Sequence, residues 1–229
     1  MVNADVRARV RHRSDALPWL AGEAPGVLWK LFEHDGQRQG RITALMQWPP
    51  GARIEEHAHE LGEETLVISG SFADDFGDYP EGSYLRCPPG SDHAPVTREG
   101  CTLLIKHRQM SAEDNDRVVV DTRHARWVAS VRDGVSVMPL HRHGLESVSL
   151  IKMAPGARYY GHRHVGGEET FVISGSFRDD FGQHPQGTWL RYPGMSAHAP
   201  ESDEGCVLYV KSGHLSMPQR SFWPLRRTV

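Results

Sequence analysis

Along the chain, short apolar runs alternate with clusters of turn-forming residues, and the runs carry a two-residue period rather than a helical one. Residues 42–47 (ITALMQ) and 148–153 (VSLIKM) are apolar segments followed closely by Pro-Gly turns. Residues 65–69 (TLVIS) and 170–174 (TFVIS) are β-branched runs that Gly70 and Gly175 are expected to end. Residues 83–86, 102–106, 188–191 and 207–211 continue the series, separated by Gly, Pro and Asp. Short strands punctuated by turns at roughly 8–12-residue intervals predict a sandwich or barrel. No helical period persists over a long window, so the expected class is all-β.

The pattern occurs twice. A shift of 105 residues superposes 51–106 on 156–211 without a gap, and 33 of 56 positions are identical. The shared words GEET, VISGSF and DDFG fall within residues 62–77 and 167–182. Upstream the shift becomes 108, aligning Trp19 with Trp127 and Gly26 with Gly134, which places a three-residue length difference near residues 37–40. The expected organisation is a basic N-terminal tail (1–14), an N-terminal barrel (15–110), a polar linker (111–117), a C-terminal barrel (118–216) and a C-terminal tail (217–229).

Composition narrows the function classes. Apolar residues make up 38%, and Gly plus Pro is 38 of 229, enough for a core and for many turns. A net charge of −3 argues against a nucleic-acid-binding face. No apolar run approaches the ~20 residues of a membrane span, and the N-terminus lacks a signal-peptide stretch. Cys87, Cys101 and Cys206 are odd in number and far apart, so a disulfide framework is not expected and the cytoplasm is the expected compartment.

Fourteen histidines stand out. In the first copy Gly51, His57, His59, Glu63 and Gly70 follow one another in the order G-x5-H-x-H-x3-E-x6-G, and Gly156, His162, His164, Glu168 and Gly175 repeat it. Period-two alternation puts 57, 59 and 63 on one face if no bulge intervenes, with Glu64 and Glu169 on the other. His93 and His198 lie 30 residues after each glutamate, beyond Pro/Gly corners (CPPGSDH, YPGMSAH) that can turn the chain back over the first strand. Three imidazoles and one carboxylate suit Zn, Fe, Mn, Ni or Cu. Copy two has Met195 where copy one has Gly90, so its corner is expected to differ.

These motifs, with G-x5-P-x-G-x2-H over residues 82–93, resemble those of the cupin superfamily, and the words GEETLVISGSFADDFGDYPEGSYLRCPPGSDH and GEETFVISGSFRDDFGQHPQGTWLRYPGMSAH are similar to the ChrR-type cupin subfamily. The resemblance implies two tandem double-stranded β-helix (jelly-roll-like) barrels. It implies one divalent ion per barrel, Zn or Fe first with Mn or Ni as alternatives, held by His57, His59, Glu63 and His93 and by His162, His164, Glu168 and His198. Two functional readings come with it. One is a dioxygenase acting on a small diketone or hydroxyketone bound in the barrel. The other is a non-catalytic zinc-binding regulator related to the cupin domain of the anti-sigma factor ChrR. Direct sigma-factor binding is not expected, because the segment before Trp19 is short and has no cysteine for the helical zinc domain of such a factor. A homodimer is compatible with the sequence, and no catalytic residue is assigned from it.

Other signals carry bland readings. Asp75-Phe76-Gly77 and Asp180-Phe181-Gly182 are expected at acidic hairpin tips, Cys101 and Cys206 as small buried residues, and His141 and His143 as a loop pair. Arg7, Arg9, Arg11 and Arg13 read as a solvated terminus. Arg53/Arg158, Arg86/Arg191 and Lys106/Lys211 recur in both copies and suit pocket charges or strand-edge salt bridges equally.

Overall fold

A computed structural model describes residues 1–22, 24–37 and 40–215. The C-terminal segment 216–229 and residues 38–39 of the 37–40 loop lie outside the described residues. Among the described residues the regular structure is β, apart from one 3-10 turn at Ser14–Ala16. Among the described residues no helix is long and apolar enough to cross a membrane.

Two antiparallel sheets of matching order form the halves. In the first, Ser83–Cys87, Glu63–Asp74, Cys101–His107, Ile42–Trp48 and Leu28–His34 lie side by side. In the second, Thr188–Tyr192, Glu168–Asp179, Cys206–Ser212, Glu146–Met153 and Val135–His143 repeat this order. Each half adds a small two-stranded sheet, His57–His59 with Ser91–His93 and His162–Arg163 with Ala197–His198. These are the two jelly-roll barrels.

The long strands depart from expectation at one point. Glu63–Asp74 runs through Gly70 instead of ending there, and its pairing with Cys101–His107 shifts register nearby. Gly70 has φ +73°, and a Cβ would strike the carbonyl oxygen of Gly100. The glycine therefore permits a bulge that bends one strand into both the main sheet and the hairpin with Gly77–Pro80.

The halves exchange their outer strands. Val10–Arg13 pairs with Thr188–Tyr192 of the second barrel, and Val118–Asp121 pairs with Ser83–Cys87 of the first. The segment read as a solvated basic tail is thus partly a strand. Its alternating arginines reflect a strand with one face on protein, with Arg9 packed over the Phe181 ring at 3.2 Å from the centroid. The pseudo-equivalent Arg117 covers Phe76 at 4.1 Å. The 111–117 stretch likewise carries a buried residue, Asp114, although it reads as a polar linker.

Both faces of the central strands are covered, which explains their near-continuous apolar character. Ala44, Met46, Leu103 and Ile105 face the first barrel's interior, and Val172, Leu190, Leu208 and Val210 the second's. The intervening residues Leu45, Leu66 and Leu104 meet Leu150, Phe171 and Trp189 in a third cluster between the barrels. There Phe32 stacks on Trp189 with ring centroids 5.6 Å apart. Glu64 and Glu169 do point away from their barrels, as alternation requires, but into this junction. Glu64 is 2% and Glu169 1% exposed. Lys211 donates to Glu64 at 2.9 Å, and Lys106 pairs with Glu169, so each carboxylate is met by the other half's lysine. Arg86 pairs with Glu64 and Arg191 with Glu169, which makes both arginines and both lysines junction charges rather than pocket or edge charges. His141 lies on a strand, not in a loop, and its Nε2 sits 2.8 Å from Asp114 in the same network.

Candidate metal centres

In each barrel the Pro/Gly corner returns the late histidine to the HxH strand, so that His57 faces His93 and His162 faces His198 as direct antiparallel partners. The altered corner of copy two keeps the same turn. Met195 takes φ +67° where Gly90 has +82°, and its N–H donates to the His164 carbonyl at 2.7 Å as that of Gly90 does to His59 at 2.8 Å. A left-handed non-glycine residue costs on the order of 1 kcal/mol, which the corner tolerates.

The imidazole centroids lie 4.8–5.0 Å apart in the first barrel (His57, His59, His93) and 4.7–4.8 Å apart in the second (His162, His164, His198). In the second barrel the ligand-type atoms of His162, His164, Glu168 and His198 all fall within 4.8 Å of one another. In the first, His57, His59 and His93 form such a group and Glu63 is not in it. Glu63 does not follow the histidines on one continuous strand either. A turn at residues 60–62, with Gly62 at φ +74°, separates His57–His59 from Glu63–Asp74.

The donor chemistry fits a cation. His59 Nε2 and His164 Nε2 are buried with no hydrogen-bond partner, one in each cluster. Burial pushes the His59 imidazolium down to about 4, so that ring is a neutral donor at physiological pH, and burial lowers His162 in the same direction. The opposite ring nitrogens are held. His93 Nδ1 lies 2.9 Å from Asp74, His198 Nδ1 2.9 Å from Asp179, and His57 Nδ1 2.9 Å from the Glu55 carbonyl. Such contacts fix tautomer and ring orientation and leave Nε2 for an ion. Burial opposes ionisation of Asp179, but hydrogen bonds from His184, His198 and Tyr192 outweigh it and hold the carboxyl below its ordinary range. Asp74 and Asp179 were hidden in the sequence within a motif read only as a hairpin tip, although their duplication in DDFG was a usable signal.

The two centres differ in what surrounds the histidines. A cavity of about 1680 Å³ reaches the first cluster, where apolar walls including Trp29, Met46 and Ile105 meet the histidines. In the second barrel Tyr192, fully buried, stacks on His164 at 5.4 Å and tilts against His198 at 4.2 Å. Its hydroxyl donates to Asp179 at 2.6 Å. The equivalent residue in the first barrel is the small Cys87, whose thiol burial pushes up to about 12.

The profile of the ChrR cupin-like domain matches the sequence twice, over residues 7–111 and 115–216. No curated protein gives a match. Among solved structures, a candidate dioxygenase from Nostoc punctiforme is 16% identical with a TM-score of 0.76, over 93% of this chain and 85% of that one. Protein Ylba from E. coli is 18% identical with a TM-score of 0.72, over 95% of each chain. Oxalate decarboxylase from Bacillus subtilis, a protein with Mn(II) centres, is 16% identical with a TM-score of 0.64, over 91% and 78%. At these identities the likeness shows the bicupin fold.

Proposed function

We propose, from the premise that this chain belongs to the ChrR cupin-like domain family, that it is a metal-dependent dioxygenase whose first barrel carries the reaction and whose second holds an ion for structure. The observation that supports this division is the cavity reaching His57, His59 and His93, against the packing of Tyr192 over His164 and His198. The substrate class is a small β-diketone or hydroxyketone. When bound, the ion supplies Lewis acidity and, if it is iron, redox capacity toward O₂.

The chain's own residues supply the rest. His57, His59 and His93 supply the ring nitrogens, and Asp74 holds the His93 ring in one orientation. Trp29, Met46 and Ile105 give the region where substrate sits an apolar wall. In the overall reaction one C–C bond breaks, both atoms of one O₂ enter the two fragments, and no further reductant is consumed. The cytoplasm suits three unpaired, buried cysteines.

The test is O₂ uptake by anaerobically purified, iron-reconstituted protein mixed with β-diketones and hydroxyacetophenones. Uptake in proportion to substrate is expected, and His57→Ala with His59→Ala should abolish it. Silence across the panel with zinc tightly retained would overturn the enzyme reading. It would favour a zinc-binding regulator, a reading supported by the four-donor set of the second barrel.

A further inference from the structure

The halves agree at most positions around the clusters, which makes one disagreement informative. His107 ends the strand Cys101–His107 directly across from Glu63, and the equivalent pair in the second barrel is Ser212 across from Glu168. Directly opposed residues on neighbouring strands project to the same face within reach of each other. His107 uses that reach, its Nε2 lying 2.5 Å from Glu63 Oε2 as a close ion-pair contact without hydrogen-bond geometry. Ser212 instead meets the Ser147 hydroxyl at 3.0 Å.

The carboxylates sit differently as a result. Glu168 is 3.2 Å from His164 and 3.9 Å from His198. Glu63 is 3.6 Å from His59 and falls outside its histidine group. Both accept a hydrogen bond from the threonine two residues on, at 2.9 Å from Thr65 and 3.1 Å from Thr170, so that contact does not separate them. Trp29 stands edge-on to His107 with centroids 5.9 Å apart and braces the ring from the cavity side. The residue matching Trp29 in the second barrel is Val137.

We infer that His107 withdraws Glu63 from the donor set, so that the first barrel binds its ion with three imidazoles alone while the second uses three imidazoles and Glu168. The inference rests on the metal-binding reading above and adds a ligand preference to it. A divalent ion on three neutral imidazoles keeps its full +2 charge and one more open position than its counterpart. The first barrel therefore favours a monoanionic bidentate oxygen ligand, the form a β-diketone takes as its enolate, with the ligand's charge replacing that of Glu63.

The experiment titrates Co²⁺ into the full chain stripped with chelator, following visible absorption and affinity. Two classes of site are expected, the weaker by ~10-fold or more, and the weaker should vanish in His57→Ala. His107→Ser, which installs the second barrel's residue, should strengthen the weak site by ~10-fold and bring its spectrum toward that of the strong one. His107→Gln keeps a polar side chain of similar reach beside Glu63 and should leave the site at its wild-type affinity. If His107→Ser proves unfolded by circular dichroism, Glu63→Gln carries the test. It should weaken the first site by no more than ~10-fold, against ~100-fold or more for Glu168→Gln at the second. Two sites of equal affinity, a His107→Ser site unchanged, or one weakened because His107 is itself a ligand, would each overturn the inference alone. Failure of both barrels to bind Co²⁺ would overturn the metal-binding reading with it.

Discussion

The junction between the barrels makes a quantitative prediction for Glu169→Gln. Glu169 belongs to the second half and is 1% exposed. It accepts a hydrogen bond from Arg191 Nε at 3.2 Å, pairs with Lys106 of the first half, and lies 3.3 Å from His214 Nε2. Replacing the carboxylate with an amide of the same shape removes the charge but little volume, so cavity terms drop out. Two charge-assisted hydrogen bonds at ~1.5–3 kcal/mol each give a loss of about 3–6 kcal/mol. The cost of unpairing one partner of a buried ion pair, about 3–5 kcal/mol, agrees. Lys106, which burial already lowers to about 8, can shed its proton and relieve part of the penalty. Arg191 keeps Glu33 at 3.3 Å and the Asn3 and Asp5 carbonyls. These reliefs favour the low end, about 3 kcal/mol. At roughly 2–4 °C per kcal/mol for a chain of this size, calorimetry should show the melting temperature fall by about 6–12 °C. The pair of exposed Arg178 with half-buried Glu201 is the control, and Glu201→Gln should cost under ~1 kcal/mol. A drop below about 3 °C for Glu169→Gln, or one no larger than the control's, would refute the buried-pair argument.

Elemental analysis after reconstitution should give about two divalent ions per chain, and His57→Ala with His59→Ala should remove one while leaving the other, because the clusters belong to separate barrels. Acid should destabilise the protein from below about pH 6.5, since burial lowers His214 to about 3 and the unfolded chain takes up a proton there that the folded chain refuses. In that window stability falls with pH by about 1.4 kcal/mol per unit from this residue, and His214→Gln should flatten the slope of unfolding free energy against pH by that amount. Tyr192→Cys, which gives the second barrel the first barrel's residue, should cost on the order of 3 kcal/mol by emptying a packed site. It should also speed release of the second ion to a chelator, and an unchanged rate would show that Tyr192 does not seal the site.

Much of the fold was legible because the duplication states it twice. Strand period, Gly/Pro corners and histidine spacing are local properties, and agreement between copies separates them from chance. The pairing of His57 with His93 spans three intervening strands, and the Pro/Gly corner supplies only its last return. What period two cannot supply is the identity of what lies beyond each face. Glu64 read correctly as lying on the face away from the histidines, yet that face meets the other half, and Arg86 and Lys106, which suited pocket or strand-edge charges equally, end in the same junction. The partner of Val10–Arg13 lies about 180 residues away, so no local pattern of the arginines announces a strand rather than a solvated terminus.

The position of Glu63 shows the same limit at the scale of one side chain. Its motif spacing is identical to that of Glu168, and the motif contains no information that distinguishes them. The difference comes from the cross-strand neighbour, which lies 44 residues downstream (107 − 63) and outside both motifs. A motif fixes which residues approach a common point, whereas the strands on either side decide which of them arrive. His107 against Ser212, Cys87 against Tyr192 and Trp29 against Val137 all lie on strands flanking the ligands rather than among them. Divergence after duplication could therefore leave both histidine clusters intact while changing the access to one and the charge of the other. Two barrels with one ligand motif need not have one chemistry, and the neighbours of the motif are where the difference is written.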